Sequence, residues 1–446
     1  MTDLSERRQG QRRWAWAMFD WGQHAYWLLV ATFIFTPYFT TGVIGDPVQG
    51  QKIMGYAGAV AGMIIAVMSP IAGALTDAYG ARRWLALLTV PFVGACLFLW
   101  TAEPGRPDLA LIIAIALVVA NVSTEVMTAV ANALIPSLAK PGQVGRLSAF
   151  GWAAGYFGGL AALVLVLVTL ILPPQALFGL DKAMHEPERL MGPISAAWYL
   201  IFGLPLLLMA PGKPAARAGV TQTPLPELWN VLKSLPRRPV ILRFLIGRML
   251  VGDGIAAIVA FAGVLAAGLF RWGPLELGLY GILLSAAAGV GALGAGRIDD
   301  RLGSKPTTLA SSGVLTLGMV GMLLIGVDHI GWIATAPAVA DDGLFASASE
   351  RAYLAASFVL GIAFGPVQSS MRAWMAKITP AEEAGRLFGL YTLSGKASAF
   401  AAPFVIGKVT EATGQQKPAI LVAALFIGAG CAVLASVQGR GREQGA

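Results

Sequence analysis

A short string of glycines, an aspartate and a basic residue occurs twice in this chain. The copies comprise Gly73, Asp77, Gly80, Arg82 and the adjacent Arg83, then Gly296, Asp300, Gly303 and Lys305. They lie 223 residues apart in 446 residues, and each ends an apolar run and begins a short basic loop. A chain built from two such halves is typical of secondary transporters, so the repeat predicts two related membrane-embedded halves.

Composition indicates that lipid surrounds most of the chain. Hydrophobic residues make up 56% and charged residues 13% of the sequence, whereas soluble domains carry about 25% charged residues. Glycine is frequent, at 54 residues, and small residues allow membrane helices to approach closely. The sequence therefore predicts an all-α membrane protein.

We interpret the net charge of +8 as a sign of how the chain is oriented in the membrane, and not as a sign of nucleic-acid binding. About 21 of the 32 lysines and arginines fall in the two tails and the even-numbered loops, so the positive-inside rule places both termini in the cytoplasm. The two cysteines, Cys96 and Cys431, lie inside apolar runs and form no disulfide framework. A bacterial inner membrane, a monomer and the absence of any cofactor or metal are expected.

Apolar runs long enough to span a bilayer number twelve. They cover about 14–39, 53–76, 84–101, 109–138, 147–172, 193–210, 240–270, 275–298, 306–327, 351–378, 388–409 and 418–437. Residues 211–239 are rich in proline and basic residues and are interpreted as a cytoplasmic linker, with a short interfacial helix in the middle. The predicted domains are residues 1–210, the linker 211–239 and residues 240–446, each outer domain being a six-helix bundle.

The repeated string has the chemistry of a cytoplasmic gate. Asp77 and Asp300 lie where a helix meets water, and each can accept hydrogen bonds from a neighbouring helix N-terminus or a basic loop. The glycines allow close helix contact and tight turns. A well-capped basic loop that only sets topology is the alternative.

The string resembles the signature of the major facilitator superfamily, whose members are twelve-helix secondary transporters. Two stretches, Phe19 to Phe39 and Gly365 to Phe400, resemble the branch that includes the fungal vacuolar amino-acid effluxer linked to autophagy, and Val251 to Gly263 fits the same branch. This resemblance implies two pseudo-symmetric six-helix bundles, alternating access and export of amino acids or related small polar solutes.

Ionisable groups within spans are costly, so each one is a candidate site residue. In the first half, Asp20 and His24 share a face of span 1, with Gln23 and Tyr26 nearby, and could carry a proton. Span 4 carries a polar stripe of Asn121, Glu125, Thr128 and Asn132. Structural hydrogen bonds between helices are the alternative for both groups.

The second half offers Arg248 and Asp253 on span 7, Gln368 and Arg372 on span 10, and Lys396 on span 11. Asp253 stands between two glycines, which predicts a local break in that helix where freed backbone groups could bind a ligand. Arg372 can bind a carboxylate through two parallel hydrogen bonds, and Arg372 and Lys396 are the expected partners of the substrate if it is an amino acid or another organic anion. The alternative is that these cations only neutralise Glu125, Asp20 or Asp253 within the protein.

Other classes of function have less support. The histidines, His24, His185 and His329, are scattered and lack metal-ligand spacing, and the sequence contains no nucleotide-binding loop. The glycines at 289, 291 and 294 match a dinucleotide fingerprint only formally, because they lie inside a predicted span. The expected function is proton-coupled transport of a small polar solute, not enzyme catalysis. A transporter-like sensor that moves nothing is the alternative, and a membrane-embedded enzyme is a weaker one.

Overall fold

The computed structural model of the protein describes residues 2–175, 177–210, 224–336, 343–398, 401–415 and 417–438. Two compact units make up the chain. One contains Met1–Leu228 and Thr379–Leu393, and the other contains Trp229–Ile378 and Ser394–Ala446. The domain limits expected from the sequence stay a prediction, and residues 211–223 of the predicted linker lie outside the described residues.

Helices make up the first unit. The long ones are α1 (Thr2–Ala25), α2 (Pro47–Tyr79), α3 (Ala81–Phe98), α4 (Ala110–Asn132), α5 (Val144–Val166) and α6 (Met191–Met209). Shorter α-helical, π-helical and 3-10 segments extend or join them: Tyr26–Phe33, Phe35–Tyr38, Phe39–Val43, Leu99–Thr101, Pro107–Leu109, Ile135–Leu138, Leu167–Ile171, Leu177–Gly179 and Glu186–Arg189. Their apolar faces form the core of this unit.

The linker contributes a short helix, α7 (Pro224–Ser234), followed by a 3-10 turn at Leu235–Arg237. The short linker helix that the sequence predicts is therefore present. The second unit contains α8 (Pro239–Phe270), α9 (Pro274–Leu302), α10 (Ser304–Met322), α11 (Ala348–Ile378), α13 (Ala401–Thr413) and α14 (Pro418–Ala435). A 3-10 turn at Ala381–Glu383 and the helix α12 (Ala384–Ser394) precede α13 in the chain, and all of their residues except Ser394 belong to the first unit. A small antiparallel pair, β1 (His329–Ile330) and β2 (Ile333–Ala334), lies between α10 and α11.

Each of the twelve predicted spans contains described helix. Within the described residues, eight helical stretches are long and apolar enough to cross a membrane: Glu6–Val43, Pro47–Tyr79, Ala81–Thr101, Pro107–Asn132, Val144–Ile171, Glu186–Met209, Leu275–Leu302 and Ala348–Ile378. Predicted span 11 is divided between α12 and α13, because α12 ends at Ser394 and the chain turns over residues 395–398. The prediction of an all-α membrane protein is confirmed.

Candidate functional site

Both copies of the repeated string form the same turn between two long helices. Gly80 lies between α2 and α3 with φ 87° and ψ 154°, and Gly303 lies between α9 and α10 with φ 96° and ψ 156°. Their N–H groups donate to the carbonyls of Thr76 and Asp299, which are equivalent positions in the repeat. A positive φ favours glycine over residues with a Cβ, so one residue type at one position gives both turns.

Asp77 caps the N-terminal end of α12. Its carboxylate accepts hydrogen bonds from the backbone N–H of Gly385 at 2.6 Å, from the backbone N–H of Arg386 at 3.0 Å and from Arg386 Nε at 3.1 Å. The backbone around Gly73 packs directly on that of Gly385, where a Cβ on either glycine would overlap the other residue. A helix N-terminus and a guanidinium together favour a negative charge at this point.

The Arg386 side chain also reaches the linker helix. Its Nη1 atom lies 2.7 Å from Glu227 Oε2 on α7, and both side chains are largely buried. One guanidinium therefore binds two carboxylates, Asp77 through Nε and Glu227 through Nη1. We call the contact between Asp77 and Arg386 the latch.

The second copy of the string is anchored differently. Asp299, one residue before the repeated Asp300, is the buried acid, with 1% of its surface exposed. Its Oδ1 lies 2.5 Å from Lys377 Nζ and accepts a hydrogen bond from Ser304 Oγ at 2.8 Å. Asp300 is half-buried and also makes contacts of its own. Gly296 is buried. A cation from α11 thus neutralises an acid that the repeat does not contain.

The basic residues of the two copies differ as well. Arg82 and Arg83 are exposed, as expected for a basic loop. Lys305 donates from Nζ to the carbonyls of Ala435 and Val437, both at 2.7 Å. Lys305 therefore caps the C-terminal end of α14, where a cation is favoured by the helix dipole.

In the first unit, Gln23 connects α1 to α4. Its Nε2 donates to the Thr124 carbonyl at 2.6 Å, and its Oε1 accepts from Thr128 Oγ1 at 2.8 Å. Tyr26 is buried and donates through its hydroxyl to the Leu117 carbonyl at 3.3 Å. Both side chains therefore hold helices together, which is the structural alternative that the sequence left open.

Asp20 and His24 face a row of glycines on α5. Asp20 is 4% exposed and packs against Gly151, while the His24 ring fills the space beside Gly155. His24 Nδ1 lies 2.9 Å from the Asp20 carbonyl oxygen. The His24 ring makes edge contacts with Trp152 and Tyr156 at centroid distances of 6.0 and 5.8 Å. Asp20 is thus buried where α1 packs against α5.

The polar stripe of α4 lies on one continuous helix. Asn121, Glu125 and Thr128 are half-buried and Asn132 is buried. Within the described part of the chain, Asn121 Oδ1 is buried and has no hydrogen-bond partner. A buried acceptor without a partner is rare and marks a place where a ligand or water can bind.

In the second unit, α8 continues through Asp253, so the predicted break at this residue is wrong. Gly254 instead packs on Ala423 and Ile427 of α14, where a Cβ would not fit. The interruption lies in predicted span 11, at residues 395–398. There, the Arg248 guanidinium occupies the space that a Cβ on Gly395 would need.

Asp253 faces this interruption. It is 1% exposed, and the side chains of Ser398 and Arg248 lie close enough to interact with its carboxylate. Considering only the described residues, neither Asp253 Oδ1 nor Ser398 Oγ has a hydrogen-bond partner that meets normal geometry. Lys396 lies within the interruption and is half-buried. Backbone groups freed by an interrupted helix are typical of ligand sites in membrane proteins.

Arg372 and Gln368 lie on α11, one helical turn apart. Arg372 is 2% exposed, whereas Gln368 is half-buried. Arg372 also has an interaction partner within the protein. A search of the described residues for clusters of metal-ligating side chains finds none.

Four functional candidates were not predicted from the sequence: Arg386, Glu227, Asp299 and Lys377. A signal for Arg386 was present, because the Gly-Arg-Leu triplet at 385–387 repeats the triplet at 145–147. Asp299 directly precedes the repeated aspartate, so the repeat directed attention to Asp300 and not to Asp299. Glu227 and Lys377 have no sequence signal, since their partners come from distant segments.

The helix order, the paired turns and the buried charges define an all-α membrane protein with the fold of the major facilitator superfamily. The structure of a proton:xylose symporter of this superfamily, bound to 6-bromo-6-deoxy-D-glucose, superposes with a TM-score of 0.73 at 12% identity, covering 97% of this chain and 96% of that one. The family described as "Vacuole effluxer Atg22 like" matches residues 39–446, and the chain belongs to this family.

Two relatives illustrate how similar the chain is to known proteins. Autophagy-related protein 22 of Cryptococcus neoformans is 28% identical over 280 residues, which is 60% of this chain and 48% of that protein. An MFS-type transporter of Bacillus subtilis, YxiO, itself uncharacterized, is 20% identical over 433 residues, covering 95% of this chain and 94% of that protein. The chain thus spans about half the length of the fungal relatives it matches.

Proposed function

We propose that this protein is a secondary active transporter that moves a small polar solute by alternating access, and that it is not an enzyme. The burial of ionisable side chains inside membrane spans carries the proposal. Asp20, Asp253 and Arg372 are 4%, 1% and 2% exposed. An ionised group costs about 2.5–3.5 kcal/mol at mid-bilayer on insertion scales, so such groups usually serve a substrate or ion pathway.

The latch is the proposed cytoplasmic gate. Asp77 binds a helix N-terminus and a guanidinium at once, and glycine backbones meet beside it. Breaking this contact requires only that α12 move away from α2, since its bonds to Asp77 involve the first turn of one helix. The two states of an alternating-access transporter can differ by making and losing such a contact.

Amino acids or related organic anions are the proposed substrates, and export is the proposed direction. The family's description as a vacuole effluxer supports export, and the cationic side chains of Arg372 and Lys396 support an anionic or zwitterionic substrate. Arg372 and Lys396 would bind the substrate carboxylate, because a guanidinium and an ammonium both pair with carboxylates. Other candidate groups are Gln368, Arg248 and Asn132, with Asn121 as a buried acceptor that a ligand could satisfy.

Proton coupling is part of the proposal. Glu125, Asp20 and Asp253 are the carriers, and His24 could relay a proton because an imidazole titrates near physiological pH. The symporter that shares the fold couples a sugar to protons. The monomeric state, the cytoplasmic position of both termini and a bacterial inner membrane stay predictions.

Counterflow into proteoliposomes with a mixture of labelled amino acids tests the proposal. Uptake that a pH gradient accelerates in the wild type, and no longer accelerates in Asp253→Asn, supports proton-coupled transport. Asp108→Asn is the matched control, since Asp108 is an exposed partner of Arg106. If neither counterflow nor a pH effect occurs for any solute, the protein is better described as a sensor than as a transporter.

Ligand binding can be tested without transport. Thermal-shift screening of purified protein against amino acids and organic anions should give a ligand whose stabilisation is lost in Arg372→Ala. Arg351→Ala is the control, because the Arg351 guanidinium donates hydrogen bonds to the nearby backbone carbonyls of Ser347 and Ala346. A ligand that stabilises Arg372→Ala as strongly as the wild type would remove Arg372 from the site.

A further inference from the structure

The linker helix α7 has an exposed apolar face. Leu225 and Trp229 are 53% and 58% exposed, and they lie one helical turn apart. Lys233, one turn further on, places its ammonium 5.3 Å from the Trp229 ring centroid. The rest of the helix surface is anchored in protein, since Leu228 and Val231 are 7% and 4% exposed and Glu227 binds Arg386.

Charge around this face is positive. From Pro224 to Arg243 the chain has four basic residues, which are Lys233, Arg237, Arg238 and Arg243. Its one acid is Glu227, which binds Arg386 and so faces away from the exposed side. The membrane helix α8 begins at Pro239, directly after Arg238, and Arg243 lies in its first turns. A helix that carries tryptophan and leucine beside lysine and arginine, next to a span, suits the headgroup region of an anionic leaflet.

We propose that α7 docks on anionic lipid headgroups of the cytoplasmic leaflet, and that Glu227 transmits this docking to the latch. Trp229 and Leu225 enter the headgroup boundary, while Lys233 and Arg237 bind lipid phosphates. Because Glu227 and Asp77 share the Arg386 guanidinium, a docked α7 holds that guanidinium against Asp77. An anionic leaflet therefore stabilises the closed latch.

Docking can be measured without any transport. The full chain with Cys96→Ala and Cys431→Ala receives Asn230→Cys, an exposed position on α7, labelled with bimane. Vesicles of phosphatidylcholine are compared with vesicles containing about one third phosphatidylglycerol. We expect a blue shift and protection from iodide in the anionic vesicles, both reversed at about 1 M KCl, where the Debye length falls to about 3 Å.

Charge variants separate the possible partners of this face. Lys233→Gln should reduce the preference for anionic vesicles about fivefold, as expected for one basic residue near the surface. Lys408→Gln is the matched control, because Lys408 is an exposed lysine paired with Glu411 on α13. Identical spectra in both vesicles would overturn the proposal. So would a shift that follows the protein-to-lipid ratio instead of lipid charge, because a second copy of the chain would then cover this face.

Transmission to the latch has its own measurement. Hydrogen exchange of the backbone amides of Gly385 and Arg386 should be slower in anionic vesicles than in neutral ones. Glu227→Gln should remove this difference while leaving the bimane shift unchanged. If the difference persists in Glu227→Gln, or is missing from the wild type, α7 does not act on the latch. Neither result depends on whether the protein transports a solute.

Discussion

Replacing Asp77 by asparagine tests the latch with the smallest change of shape. The carboxylate accepts three hydrogen bonds, two from backbone N–H groups and one from Arg386 Nε. Asparagine with its oxygen at the Oδ2 position keeps the two bonds from Arg386, but its NH2 group then faces the N–H of Gly385. The lost bond costs about 1.5 kcal/mol, and the two remaining bonds lose about half of their strength because their acceptor is no longer charged. The expected cost is about 3 kcal/mol, which changes the ratio of open to closed latch about 150-fold.

Hydrogen–deuterium exchange of the segment 379–393 measures this change directly, because Gly385 and Arg386 supply the amide protons. Their exchange should accelerate by up to about 150-fold in Asp77→Asn, since local opening controls exchange. Asp108→Asn is the matched control: this aspartate is exposed and pairs with Arg106 at 2.8 Å in its loop. Unchanged exchange of Gly385 and Arg386 in Asp77→Asn would refute the argument that the carboxylate holds α12.

Two further substitutions test packing and charge within the units. In Gly155→Ala the added Cβ would overlap the His24 ring, whereas in Gly94→Ala it meets no atom within 4 Å. We expect Gly155→Ala to lower the free energy of unfolding by about 1–3 kcal/mol and Gly94→Ala to leave it unchanged or slightly higher. Thermal unfolding in detergent measures both effects. Lys377→Met leaves Asp299 buried without its cation and should cost about 2 kcal/mol, less than a fully buried pair because Lys377 is partly exposed. The double variant with Asp299→Leu should recover most of that loss, and failure to recover would show that the pair is not the cause.

Sequence patterns predict the helices well because the lipid bilayer restricts the backbone to very few conformations. Within a bilayer each backbone polar group must find a partner inside the chain, so a long apolar run becomes a helix. The repeated turn was equally predictable, since a positive φ selects glycine at Gly80 and Gly303 alike. Both results depend on local chemistry and need no knowledge of distant segments.

The predicted break at Asp253 is wrong because the role of its neighbouring glycines depends on tertiary contacts that the local sequence does not show. Glycines flank this residue, but Gly254 serves close packing on Ala423 and Ile427, so α8 continues. The interruption occurs instead where Gly395 leaves room for the Arg248 guanidinium. A glycine in a membrane helix can therefore mark a bend or a close contact, and only its neighbour in space distinguishes the two.

The two copies of the string also show how a duplication acquires different roles. Both keep the turn, yet Asp77 binds a helix N-terminus and Arg386, whereas the buried acid of the second copy, Asp299, binds Lys377. A backbone N-terminus can be released by moving one helix, while a lysine ammonium on a flexible stem can follow its acid over some distance. The first copy is therefore the better candidate for a contact that opens and closes, and the second for one that persists. If exchange measurements showed the amide protons around Asp299 to open as readily as those of Gly385 and Arg386, this division of roles would be wrong.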